Sequence, residues 1–245
     1  MYDPPAYLWA IIIAAAAGVL ATTCIALYGG AKRAGLGRRR AALLAGGAAA
    51  VLGGWWTASA AIAGHGWYHT LPWFPVAFAG YLGLLLALRQ IPVVARALTA
   101  PGMASRLELP HTFRVAGVAF LLYLALGHLP ALFALPAGLG DITAGIAAPL
   151  AARRLAQGRG RRAALWFNAF GMTDLVVALT LGALTGSGLL NVTPSSAPIS
   201  ELPLALIPTA GVPLLFVLHI TAVSALVRAP RTPLPATNPL PATAK

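Results

Sequence analysis

Long apolar runs broken by short polar gaps set the pattern of this chain. A helix needs about 20 apolar residues to cross the hydrocarbon core of a bilayer. Runs of roughly that kind fall at 7–28, 41–63, 72–88, 113–130, 137–152, 164–184 and 203–227. The fifth is short and rich in glycine. None shows the two-residue alternation of a membrane β-barrel. Helices remain as the way to pair every backbone group in lipid. The pattern predicts an all-α fold, a polytopic membrane helical bundle of seven transmembrane helices.

The polar gaps are not equivalent. Lys32, Arg33, Arg38, Arg39 and Arg40 separate the first two runs, and Arg89, Arg96, Arg106 and Arg114 the third and fourth. Arg153, Arg154, Arg159, Arg161 and Arg162 separate the fifth and sixth, and Arg228, Arg231 and Lys245 follow the seventh. All 17 cations are thereby assigned to alternate gaps. Cytoplasmic loops carry such an excess, which predicts an N-terminus outside and a cytoplasmic C-terminus. Between Arg89 and Arg114 the sequence is too short and too charged to span, and reads as a cytoplasmic loop or a short interfacial helix. Residues 1–228 are expected to form the transmembrane domain. Residues 229–245, with PLPAT twice, are expected to form a disordered Pro-rich cytoplasmic tail.

Composition agrees. Of 245 residues, 59% are hydrophobic and 9% charged, against about 25% charged in a soluble domain. The net charge of +12 lies in short loops. The partners it implies are the lipid bilayer and its anionic headgroups, with no nucleic acid. The single Cys24 excludes an internal disulfide and a cysteine metal cluster. Asp3 stands where a secretory signal would carry a cation, so the first run reads as a retained span. Abundant Ala, Arg, Gly and Pro with two Lys points to a bacterial gene, and so to the bacterial cytoplasmic (inner) membrane.

Ionisable groups inside spans are costly and mark function by default. Asp141 lies eleven residues before Ala152, and Asp174 eleven after Ala163. At 1.5 Å per residue both are roughly 16 Å from the basic loop 153–162, on adjacent antiparallel helices. Gly138, Gly145 and Ala148 share a face with Asp141, and Gly171 and Ala178 one with Asp174. Packing of those faces would bring the carboxyls together. Two such groups suit proton relay or cation exchange; a structural pair bonded to Thr143, Thr173 or Asn168 is the bland alternative. His219, nine residues before Arg228, comes to a similar depth. The same span carries Pro208, Gly211 and Pro213, a flexible helix break of the kind that lines transporter sites.

His65, His69 and His128 stand near the opposite boundary and are candidate metal ligands, for haem or a transition metal. Gly64, Gly66 and Pro72 oppose a regular helix around the first two. Trp55, Trp56, Trp67, Tyr68 and Trp73 form an interfacial aromatic belt or a binding platform. Arg114, three residues after His111, is expected to snorkel to headgroups. The sequence contains no phosphate-binding loop, no G-x-S-x-G and no H-E-x-x-H, and no Lys lies in a span. This favours a non-enzyme.

The stretch FRVAGVAFLLYLALGHLPALFALPAGLGDITAG, with LPLALIPTAGVPLLFVLH later, resembles a group of uncharacterised bacterial multi-pass inner-membrane proteins over roughly the C-terminal half. The resemblance implies location and no activity or site residue. The leading functional expectation is a small proton-coupled permease or carrier of a small solute or ion, without a cofactor, using Asp141, Asp174 and His219. A haem- or metal-binding redox subunit and a non-catalytic sensor or complex-assembly subunit are the alternatives.

Overall fold

A computed structural model of the protein describes residues 3–228. The expected tail at 229–245 lies outside the described residues. The described residues are all-α, with no strand among them. Helices α1 (Ala6–Arg33) and α2 (Arg38–Gly64) form an antiparallel hairpin across Ala34–Gly37. Lys32 and Arg33 close the last turn of α1, where cations complement the carbonyl end of a helix. Helices α7 (Ala131–Ala156) and α8 (Arg161–Gly186) form a second hairpin. Gly158 and Gly160 turn it with φ of 71° and 78°, values that a side chain disfavours.

Among the described residues, five helices are long and apolar enough to cross a membrane, or up to six with one bent pair. That pair is α3 (Trp73–Leu88) and α4 (Pro92–Leu98), which meet at 85°. Pro92 opens α4, where its missing N–H costs nothing. The fourth apolar run does not form one long helix. Instead α5 (Met103–Glu108) leads into a 3₁₀ segment, Leu109–Gly117, and then α6 (Val118–Ala125). The fifth run is longer than its sequence pattern shows, because α7 continues through both Pro136 and Pro149. Neighbouring groups can satisfy the carbonyls that such prolines free.

The last span begins with a wide π turn, Ile207–Gly211, followed by α9 (Val212–Arg228). The expected helix break thus sits at the start of the span, with Pro208 and Gly211 in the turn and Pro213 just after it. Side chains of α2 hold the turn. The Trp55 indole N–H donates to the Thr209 carbonyl at 2.9 Å, and the hydroxyls of Ser59 and Thr209 lie 2.6 Å apart. Ser59 also reaches the Tyr68 hydroxyl at 2.9 Å. The aromatic group therefore divides: Tyr68 is buried, while Trp67 and Trp73 are exposed and pack on each other at 5.5 Å.

The bundle's centre is α9, packed by α3, α5 and α8, while α7 packs on α8 and on the 3₁₀ segment. Apolar side chains fill most of it, but Glu108, His111, Arg114, Asn168 and His219 are buried there too. Ser59 tests the stitching of the π turn. Ser59→Ala leaves the Tyr68 hydroxyl without this partner and should cost about 1–3 kcal/mol. Exposed Thr57→Ala should stay within ~0.5 kcal/mol. Reversible unfolding in mixed detergent micelles measures both.

Candidate functional site

The 3₁₀ segment sets the site. In a 3₁₀ helix, side chains three residues apart eclipse one another. Glu108, which precedes the segment, and His111, Arg114 and Gly117 within it follow that spacing. The first three are buried together, and the fourth leaves room for a neighbouring helix. A Cβ on Gly117 would collide with the Cβ of Asp141 on α7.

Arg114 is 3% exposed and does not reach the headgroups. Its Nε donates to Asp141 Oδ1 at 2.7 Å, and its Nη2 donates to Asp174 Oδ2. Its Nη1 lies 3.3 Å from both the Gly171 carbonyl and His219 Nε2. Asp141, Asp174 and His219 therefore meet around one guanidinium. Paired depth on adjacent helices placed the two carboxylates near each other, but Arg114 stands between them. The expected assignment of every cation to a loop surface fails at this residue, because the acids compensate a charge that lipid would not.

Glycines make the convergence sterically feasible. A Cβ on Gly140 would strike the Asp174 carboxylate. A Cβ on Gly171 would come within 2.5 Å of His219 Cε1 and Nε2. Gly138 and Gly145 have a different role from the expected α7–α8 contact: they face Leu121 and Val115 of the fourth run.

Below Arg114 the polar network continues through Asn168. Its Nδ2 donates to Glu108 Oε1 at 2.7 Å and to the Ala164 carbonyl at 2.8 Å. Its Oδ1 is 2.8 Å from His219 Nδ1. Since an amide oxygen only accepts, Nδ1 carries the proton and Nε2 the lone pair. The His111 ring stacks on His219 at 3.7 Å. Glu108 and His111 were not singled out as site residues from sequence. The E-x-x-H-x-x-R spacing was their one available signal, legible only if a 3₁₀ helix is assumed.

The three other histidines do not join a ligand group. His65 Nδ1 lies 2.7 Å from the Ala61 carbonyl of its own helix. His69 Nε2 is 3.8 Å from Glu201, and His128 follows α6, its backbone N–H bonded to Tyr123 O. Among the described residues, the one cluster of three such ligands within 4.8 Å of one another is Glu108, His111 and His219.

A cavity of about 640 Å³ reaches Asp141 and is lined as well by residues of the α2–α3 and α8–α9 connections. Tyr68, His69 and Ser196 line it at those connections, together with Phe120, Phe133 and Asp141. Pro208 and Val212, at the π turn, line it as well.

Residues 71–227 match a protein family described as a domain of unknown function, DUF8737. The chain belongs to this family. In this DUF8737 protein the matched region begins just before α3 and includes every residue of the Arg114 network; α1 and α2 precede it. No curated protein and no solved structure matches the chain.

The network predicts a large effect of removing its cation. Arg114→Met strands two carboxylates and should destabilise the bundle by about 3–5 kcal/mol. Combining it with Asp141→Asn and Asp174→Asn should recover most of that loss. Unfolding in mixed micelles reads both, and additive losses would contradict the pairing.

Proposed function

We propose that this protein is a small carrier in a bacterial cytoplasmic membrane, moving a small solute or ion in a proton-coupled cycle. The observation that carries the reading is Asp141, which lines the cavity while paired to the same guanidinium as Asp174. Two carboxylates around one guanidinium leave one negative charge. A proton or a cationic group entering through the cavity balances it, and its departure restores it. His219, against Nη1 of the same guanidinium, is the relay on the far side. Ionisable groups that face a cavity inside a bundle commonly mark ion and proton paths.

The flexible element in this reading is the π turn with Pro208, Gly211 and Pro213. It starts the most buried of the long helices and borders the cavity. Turns of this kind inside helices recur at functional sites, and a broken span beside a mid-membrane site is a recurring feature of carriers.

The topology we infer has seven crossings, an outside N-terminus and a cytoplasmic C-terminus. The helical stretch from Met103 to Ala125 supplies the fourth. Its fourteen α and nine 3₁₀ residues extend to about 39 Å, enough for a hydrocarbon core of about 30 Å. The cation distribution orients it, with Arg114 the exception that turns inward. The cavity then faces outside.

Two experiments test the proposal. A cysteine replacing Ser187 should react with an impermeant maleimide added to intact cells, and one replacing Gln157 only after permeabilisation; the reverse pattern overturns the orientation. In proteoliposomes, wild type should show pH-driven flux of at least one member of a panel of small cations, amines and neutral solutes. Asp141→Asn and Asp174→Asn should each abolish coupling to the pH gradient. Absence of flux across the panel, or full coupling in both variants, would overturn the carrier.

A further inference from the structure

Beside the Arg114 pair lies a second cluster, which has no part in the carrier reading except through His219. We infer that Glu108, His111 and His219 form a binding site for a borderline divalent metal ion such as Zn²⁺, Co²⁺ or Fe²⁺. The residues are fully buried, and each offers a ligand atom within 4.8 Å of the others.

Unsatisfied valences set this cluster apart from ordinary core polarity. Both nitrogens of His111 and Oε2 of Glu108 have no hydrogen-bond partner. Stranding buried polar atoms is costly, and native interiors contain few of them. The His111 ring stacks on His219 at 3.7 Å and meets Phe167 edge-on at 5.8 Å between centroids. A metal ion supplies the partner these atoms lack.

Asn168 sets the donors. Its amide oxygen accepts from His219 Nδ1, which leaves the Nε2 lone pair available. Its amide nitrogen holds Glu108 Oε1, which leaves Oε2 free. Metal-bound histidines generally donate their other nitrogen to such an outer partner, which fixes tautomer and ring direction. Asn168 is therefore a positioning residue for two ligands at once.

The charge balance favours a dication. Asp141 and Asp174 pair with the guanidinium of Arg114, whereas Glu108 is held by the uncharged amide of Asn168. A divalent ion would give Glu108 the cationic partner that Asn168 does not. Two imidazoles and a carboxylate match the ligand preferences of borderline divalent metals rather than those of Ca²⁺ or Mg²⁺. Ligand atoms in a tetrahedral zinc site lie about 3.3 Å apart, so the side chains must close inward and the stacked rings must turn. Arg114 Nη1 must also release His219 Nε2. The metal and Arg114 thus compete for one lone pair, and this links the two sites.

The test uses the full chain, purified in detergent and stripped with a chelator. Titration with Co²⁺ should give saturable binding of about one ion per chain, with ligand-field bands in the visible spectrum and competition by Zn²⁺. The X-ray absorption spectrum of the Zn²⁺ form should show imidazole scattering. His111→Ala and Glu108→Gln should abolish tight binding, and Asn168→Ala should weaken it ~10–100-fold; His65→Ala combined with His69→Ala should leave it unchanged. Absence of saturable binding to wild type, a metal shell without imidazole, or unchanged affinity in folded His111→Ala would overturn the site. The wild-type spectra decide even if the variants do not fold. No readout involves flux, so failure here leaves the carrier reading standing, and failure of flux leaves this site standing.

Discussion

The guanidinium of Arg114 is the interaction on which the centre of this bundle depends. Burying it would be prohibitive alone, and so would burying Asp141 and Asp174 without it. Each helix that contributes to the arrangement shows the accommodation. Glycines 117, 140 and 171 clear the space that the charged groups occupy. The Gly171 carbonyl and the His219 ring take up the remaining donor. The 3₁₀ segment delivers the guanidinium from a stretch that otherwise reads as a loop. Small residues at helix contacts are ordinary in membranes; here several of them border charge rather than another helix's backbone.

Much of the fold was legible because lipid imposes a simple demand. A crossing helix needs a long apolar run, and α1, α2, α8 and the last span follow their runs closely, while α7 extends past both ends of its run. The basic gaps served as rulers, and they placed Asp141 and Asp174 at matching depth. Pro136 concealed the first six residues of α7, since proline marks a helix boundary far more dependably in water than in a bundle. The fourth run was harder. A 3₁₀ segment has a period of three, and an apolar stretch read at a period near 3.6 blurs it.

The site was legible in its acids and obscure in its base. Carboxylates within apolar runs stand out. Arg114 sat at the edge of a run, where the rule that assigns cations to the cytoplasmic face also explains an arginine without any buried role. Glu108 and His111 were hidden for the same reason, inside a segment whose other charges, Arg96 and Arg106, mark it as polar. His65 and His69 drew attention through their spacing in GHGWYHT, but His65 Nδ1 lies against a carbonyl of its own helix and His69 lies 3.8 Å from Glu201. Spacing alone could not reveal that a backbone carbonyl already claimed one of those rings.

The winding of Leu109–Gly117 has a mechanical consequence. A 3₁₀ helix turns about 120° per residue and rises about 2.0 Å; an α-helix turns about 100° and rises 1.5 Å. Rewinding the nine residues into α form would shorten the segment by about 4.5 Å and rotate Arg114 by roughly 120° relative to Glu108. The shared face of Glu108, His111 and Arg114 is thus a property of helical pitch. The pairing of Arg114 with α7 and α8 is matched to that pitch, as a bolt is matched to one thread.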